Sequence, residues 1–211
     1  MLKAIIFDYG KVLTLPPTSA DWAKLAGVFG ATVERLQKPY WSLREDYDRG
    51  VYNASSYWLA VGEHLFKMIS KKDIDRLVEY DNAQWTKENP EMLDFAWRAK
   101  AAGLKIGILS NMQSDMLAAM RRKLDWLGRF DVQAYSCEIG AIKPEAASYQ
   151  YILKGLVVNP DESLFFDDKE ANIDGARALG MHAQLYEDEI QAAYRAADRL
   201  GIVLAAQKSA N

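Results

Sequence analysis

The sequence predicts an α/β protein built on a doubly wound parallel sheet, with an all-helical segment inserted after the first strand. Three observations carry this reading: short apolar runs that end abruptly in polar residues, helical patterns between those runs, and one block, residues 16–87, with helical signals only. The run Ala4-Ile5-Ile6-Phe7 is too uniformly apolar for a half-exposed strand and too short for a helix, so it is a central strand covered on both faces. Asp8 stands at its carboxyl end, and Gly10 lets the chain turn sharply. Ligands of open parallel sheets bind beyond those strand ends. Asp8 is thus the first candidate functional residue, against the plainer reading of an aspartate that only starts a turn.

After Pro16-Pro17, Thr18 or Ser19 caps a helix through Trp22, Leu25, Ala26 and Phe29, which Gly30 ends. Thr32 opens a second, interrupted near Pro39 and continuing through Trp41, Leu43 and Tyr47 to Gly50. Asn53 or Ser55 precedes a third, with Tyr57, Trp58, Val61 and Leu65, and Ser70 opens a fourth through Ile74, Leu77 and Val78. Asn89-Pro90 then starts a helix that Gly103 closes. Strands follow at residues 104–109, ending in Ser110-Asn111, at 130–137, leading to a loop with Lys143-Pro144, at 163–166, ending in Asp167-Asp168, and at 181–186. Helices separate them, which implies right-handed crossovers and a parallel sheet. A C-terminal helix carries Ile190, Ala193 and Leu200, and the tail after Leu204 is expected to fray. The expected division is a core of residues 1–15 and 88–211 and an insertion of residues 16–87.

The bulk numbers exclude several classes. With 211 residues, half of them hydrophobic and 26% charged, the chain has an ordinary globular composition and can bury a substantial core. A net charge of -3 with no basic stripe argues against nucleic acid. No secretory leader or long apolar span is visible, and the single cysteine, Cys137, has no partner for a disulfide, so the expectation is a cytoplasmic protein without a membrane partner. Either a monomer or a homodimer is compatible with the sequence. Cys137, on the expected third strand, reads as a small buried hydrophobe, and His64 and His182 as packing or surface residues.

A parallel sheet gathers Asp8, Ser110-Asn111, Lys143 and Asp167-Asp168 at one edge. Three carboxylates there repel one another by several kcal/mol per close pair at an effective dielectric of about 20, so cations must offset them. Lys143 is one, and an all-oxygen cluster suits Mg²⁺, which keeps waters and a substrate phosphate oxygen. A phosphoryl group fits among Mg²⁺, Lys143, Ser110 and backbone N–H groups, with Asp8 as the in-line nucleophile. Pro144 holds Lys143 extended and helps to aim it. Ser110 and Asn111 also suit the cap of the following helix.

These residues together resemble the haloacid dehalogenase-like superfamily: Asp8 with its turn, Ser110, Lys143 and the run from Phe165 to Asn172 stand in the order of its four motifs. The segment from Asn172 to Met181 is similar to the helix after the last motif, and the insertion resembles the family's small helical cap in position and type. The resemblance implies a Mg²⁺-dependent phosphatase acting on a small phosphorylated metabolite, with Asp8, Ser110 and Lys143 catalytic, Ser110, Asn111 and Lys143 binding substrate, and Asp8, the Gly10 carbonyl and Asp168 holding the metal. Asp167 reads either as a further metal group or as an acceptor for the Lys143 region, and Asn172 as a support through its amide or as a surface residue. One departure stands out: most phosphatases of the superfamily have a second aspartate two residues after the nucleophile, and this chain has Gly10. That acid protonates the leaving group and is worth roughly 10² to 10⁴ in rate. Lys11 or a substrate hydroxyl could replace it in part. The alternatives are a metal-independent haloacid dehalogenase, and a phosphoryl-ligand-binding regulatory protein with little turnover. The insertion's aromatics (Trp22, Tyr40, Trp41, Tyr52, Tyr57, Trp58) read mainly as core, with a substrate cover as the other reading.

Overall fold

The computed structural model describes residues 1–204; the expected fraying after Leu204 lies outside them. Five parallel strands form one sheet in the order β3-β2-β1-β4-β5: β1 (Ala4–Phe7), β2 (Lys105–Ser110), β3 (Val132–Tyr135), β4 (Ser163–Asp167) and β5 (His182–Leu185). The chain winds from β1 outward through β2 to β3 and then crosses back to the other side of β1. The point where the winding reverses therefore lies at the carboxyl end of β1, between β2 and β4.

Alternation along β1 feeds two layers. Ile5 and Phe7 face one apolar core with residues of α6 (Pro90–Ala101), α7 (Ser114–Lys123) and α11 (Ile190–Arg199), while Ala4 and Ile6 face another with α9 (Ala146–Leu156) and α10 (Glu170–Ala178). Between β1 and α6 stand α1 (Ser19–Phe29), α2 (Val33–Ser42), α3 (Arg44–Arg49), α4 (Ala54–His64) and α5 (Lys71–Gln84). Thr18, Asn53 and Ser70 cap α1, α4 and α5 in reciprocal capping boxes. The buried residues of this segment, Trp22 to Leu77, form a third cluster of their own. Its entry and exit run side by side: Leu15 N–H donates to the Lys87 carbonyl, Asn89 N–H to that of Leu13, and Thr14 bridges to Glu88.

Two local expectations are corrected. Pro39 sits inside α2 without ending it: it has no N–H to give the Arg35 carbonyl, yet the helix runs on past it, its own carbonyl accepting from Leu43 N–H at 3.1 Å, and the break comes at Leu43. The third strand stops at Tyr135, and Cys137 lies half-buried in a single helical turn, α8 (Ser136–Ile139). There the Ser136 hydroxyl turns off the sheet to donate to the Asp48 carbonyl at 2.6 Å and accept from Met112 N–H at 2.8 Å. Burial pushes the Cys137 thiol up to about 11, so it is no ready nucleophile. Among the described residues no helix is long and apolar enough to cross a membrane.

Candidate active site

The chain leaves β1 at Asp8 and winds through a tight turn, Tyr9–Leu13, in which Lys11 takes φ 60°. Asp8 and the Gly10 backbone thereby line a pocket of about 80 Å³ beyond the sheet edge, together with Ser110, Asn111, Lys143, Asp168 and Asn172. All the sequence-nominated residues line this pocket except Asp167, which lies directly behind it.

The Lys143 ammonium, 2% exposed, donates to Asp8 Oδ1 at 2.7 Å and Asp167 Oδ2 at 2.6 Å. Burial alone would strip its proton, but Asp167 and Asp8 more than offset this and raise it above its ordinary range. Asp8 moves up to about 6: burial dominates, Lys143 opposes it, and Asp167 and Asp168 add repulsion. Asp167 is wholly buried, and its second oxygen accepts from Lys169 N–H at 2.8 Å and Asn172 Nδ2 at 2.9 Å. Asp168 is more open and pairs with Lys11 Nζ at 2.9 Å. The Ser110 hydroxyl, at the end of β2, takes part in no hydrogen bond among the described residues, while the Asn111 amide is spent on the Lys143 backbone. The Lys143-Pro144 peptide is cis and packs against Gly175, where a Cβ would stand 2.8 Å from Pro144 Cβ.

Oxygens of Asp8, Asp167 and Asp168 lie within 4.8 Å of one another. Counting Asp8, Asp167 and Asp168 against Lys143 and Lys11 leaves one negative charge over, and an all-oxygen donor set with surplus charge fits a hard divalent cation. Asp8 and Asp168 each keep one oxygen outside these pairs and, with the Gly10 carbonyl, could hold it, whereas both Asp167 oxygens are engaged.

The other wall comes from the inserted helices, of which the sequence offers only Trp41, within the substrate-cover reading of the aromatics. Trp41, Arg44 and Asp48 reach the pocket from α2 and α3, and Trp85, just after α5, covers Gly10, whose added Cβ would meet the indole at 3.5 Å. Arg44 bonds Asp48 at 2.9 Å, Asp81 at 3.2 Å, Tyr40 at 2.5 Å and Gln113 at 2.8 Å. One signal was available: Asp81 continues the buried stripe of Ile74 and Leu77, where a lone acid needs a partner. Arg44 and Asp48 offer no such signal, since an arginine and an aspartate four apart are common on an exposed helix face.

A buried carboxylate held by a lysine beside an acidic pair, all at the reversal point of a parallel sheet, defines a hydrolase-type site built around an aspartate. The chain belongs to the haloacid dehalogenase-like hydrolases, whose defining pattern matches residues 2–180. It is 28% identical over 198 residues to Phosphatase MT3486 of Mycobacterium tuberculosis, with 88% of each chain covered. It is 27% identical to Bifunctional epoxide hydrolase 2 of Sus scrofa over 210 residues, covering 89% of this chain and 37% of that one, so it spans about a third of that longer relative. The HAD family enzyme BT-2542 of Bacteroides thetaiotaomicron, solved in complex with magnesium and inorganic phosphate, superposes with a TM-score of 0.68 at 17% identity, over 90% of this chain and 96% of that one.

Proposed function

We propose that this chain is a Mg²⁺-dependent phosphatase that hydrolyses a small phosphomonoester, such as a sugar phosphate, through an aspartyl-phosphate on Asp8. The observation that carries it is the Asp8–Lys143–Asp167 chain of contacts facing Asp168 and Ser110 across one small pocket. The phosphatase relative and the magnesium and phosphate complex of the structural neighbour support it. Asp8, Asp168 and the Gly10 carbonyl would hold the ion, which when bound neutralises charge on the phosphoryl oxygens. Asp8 attacks phosphorus in line. The Lys143 ammonium and Ser110 hydroxyl donate to the phosphoryl oxygens, where charge is spread in the transition state. Asn111, Asp167 and Asn172 position these groups, and Trp41 and Trp85 exclude water.

Residues 16–87 act as a cap over a core that takes in, among the described residues, 1–15 and 88–204, a division supported by the separate apolar cluster of the insertion. The lone Cys137 suits a cytoplasmic setting. The test is phosphate release from a panel of phosphate esters, with and without EDTA, beside Asp8→Asn. Release that needs Mg²⁺ and Asp8 is expected; metal-independent release, or halide release from a 2-haloacid, overturns the reading.

A further inference from the structure

We propose that Asp48, carried into the pocket by α3, is the proton-transfer residue of this active site, in the place left by glycine at position 10. The proposal rests on the phosphatase reading above. Elimination among the pocket-lining groups leads to it. Asp8 is the nucleophile, Asp168 and Lys11 pair with each other at 2.9 Å, and Lys143 is shared by Asp8 and Asp167. Arg44 cannot release a proton near neutral pH. Lys169 is exposed. Asp48 is the remaining carboxyl.

Its setting suits the task. The residue is 8% exposed, Arg44 Nε holds Oδ1 at 2.9 Å, and Oδ2 takes no hydrogen bond from the described residues. Its own carbonyl accepts from the Ser136 hydroxyl at 2.6 Å, the Tyr47 hydroxyl donates to Asp115 at 2.6 Å, and Arg49 pairs with Glu145 at 2.9 Å. Three consecutive residues thus tie α3 to the core, fixing the carboxyl over the site. Burial raises the Asp48 carboxyl above its ordinary range, although Arg44 and Lys169 pull it down.

In the first half-reaction Asp8 bonds to phosphorus, the bond to the leaving oxygen breaks with its electron pair, and that oxygen takes the proton of Asp48 Oδ2. In the second, water attacks phosphorus and gives its proton to Asp48, the bond to Asp8 breaks, and both carboxyls return to their starting states. Alcohol and inorganic phosphate leave.

The test separates leaving groups. Rapid-mixing kinetics of wild type and Asp48→Asn are compared on an alkyl monophosphate, which needs the proton, and on p-nitrophenyl phosphate, which does not. The expected result is a burst of the first half-reaction slowed by about 10²-fold or more on the alkyl ester and little changed on the aryl ester. Equal slowing of both, or of neither, overturns the assignment. Independently of any variant, the wild-type rate is expected to depend weakly on leaving-group acidity; a steep dependence overturns it equally. An aryl burst surviving in Asp8→Asn would instead overturn the parent reading.

Discussion

The side chain of Asn111 and the peptide of Lys143 exchange two hydrogen bonds, Lys143 N–H to Asn111 Oδ1 at 2.8 Å and Asn111 Nδ2 to the Lys143 carbonyl at 3.0 Å. A residue at the end of β2 therefore fixes the backbone of a residue on the loop after β3, at the point where that loop delivers its ammonium to Asp8.

Asn111→Ala should detach this clamp while leaving Lys143 itself in place. A buried N–H and carbonyl lose their partner, at about 1–3 kcal/mol. Chemical denaturation should show that loss, and kcat should drop by about tenfold or more with KM changed less, since a misaimed ammonium penalises the transition state most. Unchanged kcat would show that Pro144 against Gly175 suffices to seat the loop.

Asp8 supplies a pH prediction. Its carboxyl stands near 6 in the folded chain against about 4 when unfolded, so the folded metal-free protein binds a proton more readily than the unfolded chain. That raised value stabilises the fold relatively below about pH 4, and the advantage is lost as pH rises through 6. Asp8→Asn should accordingly melt at higher temperature than wild type in EDTA at pH 8. The gap should narrow from pH 6 to pH 4. Added Mg²⁺ should close it at pH 8 by stabilising wild type through binding.

Arg44 serves Asp48 and Asp81, both buried. Removing Arg44 leaves the buried Asp81 carboxylate uncompensated and costs about 3–5 kcal/mol. Arg44→Met should thus lower the melting temperature by roughly 10 °C for a chain of this size. Adding Asp81→Asn should return part of that loss, a non-additivity that a double-mutant cycle measures directly.

What was legible in the sequence follows from sheet geometry. Apolar runs that stop at Asp8, Ser110 and Asp167 announce strand ends, and a parallel sheet puts all such ends on one edge, so half of the pocket is legible in the sequence. Asn111 was read there as a substrate group, whereas its amide is spent on the loop; side-chain direction is decided by neighbours 32 residues away. Asp48 and Trp85 carry no signal in the sequence for a related reason. Their place depends on how five helices pack, and helical spacing tells which face is buried without telling what it meets.

The paired threads at Leu13–Leu15 and Lys87–Asn89 have an evolutionary consequence. Because the excursion departs and returns through one stitched seam, a lineage could trade the whole inserted segment for another without widening any gap in the sheet beneath. Chemistry and selectivity can then drift on separate clocks, except at Asp48, where the exchangeable part would carry a proton the permanent part lacks.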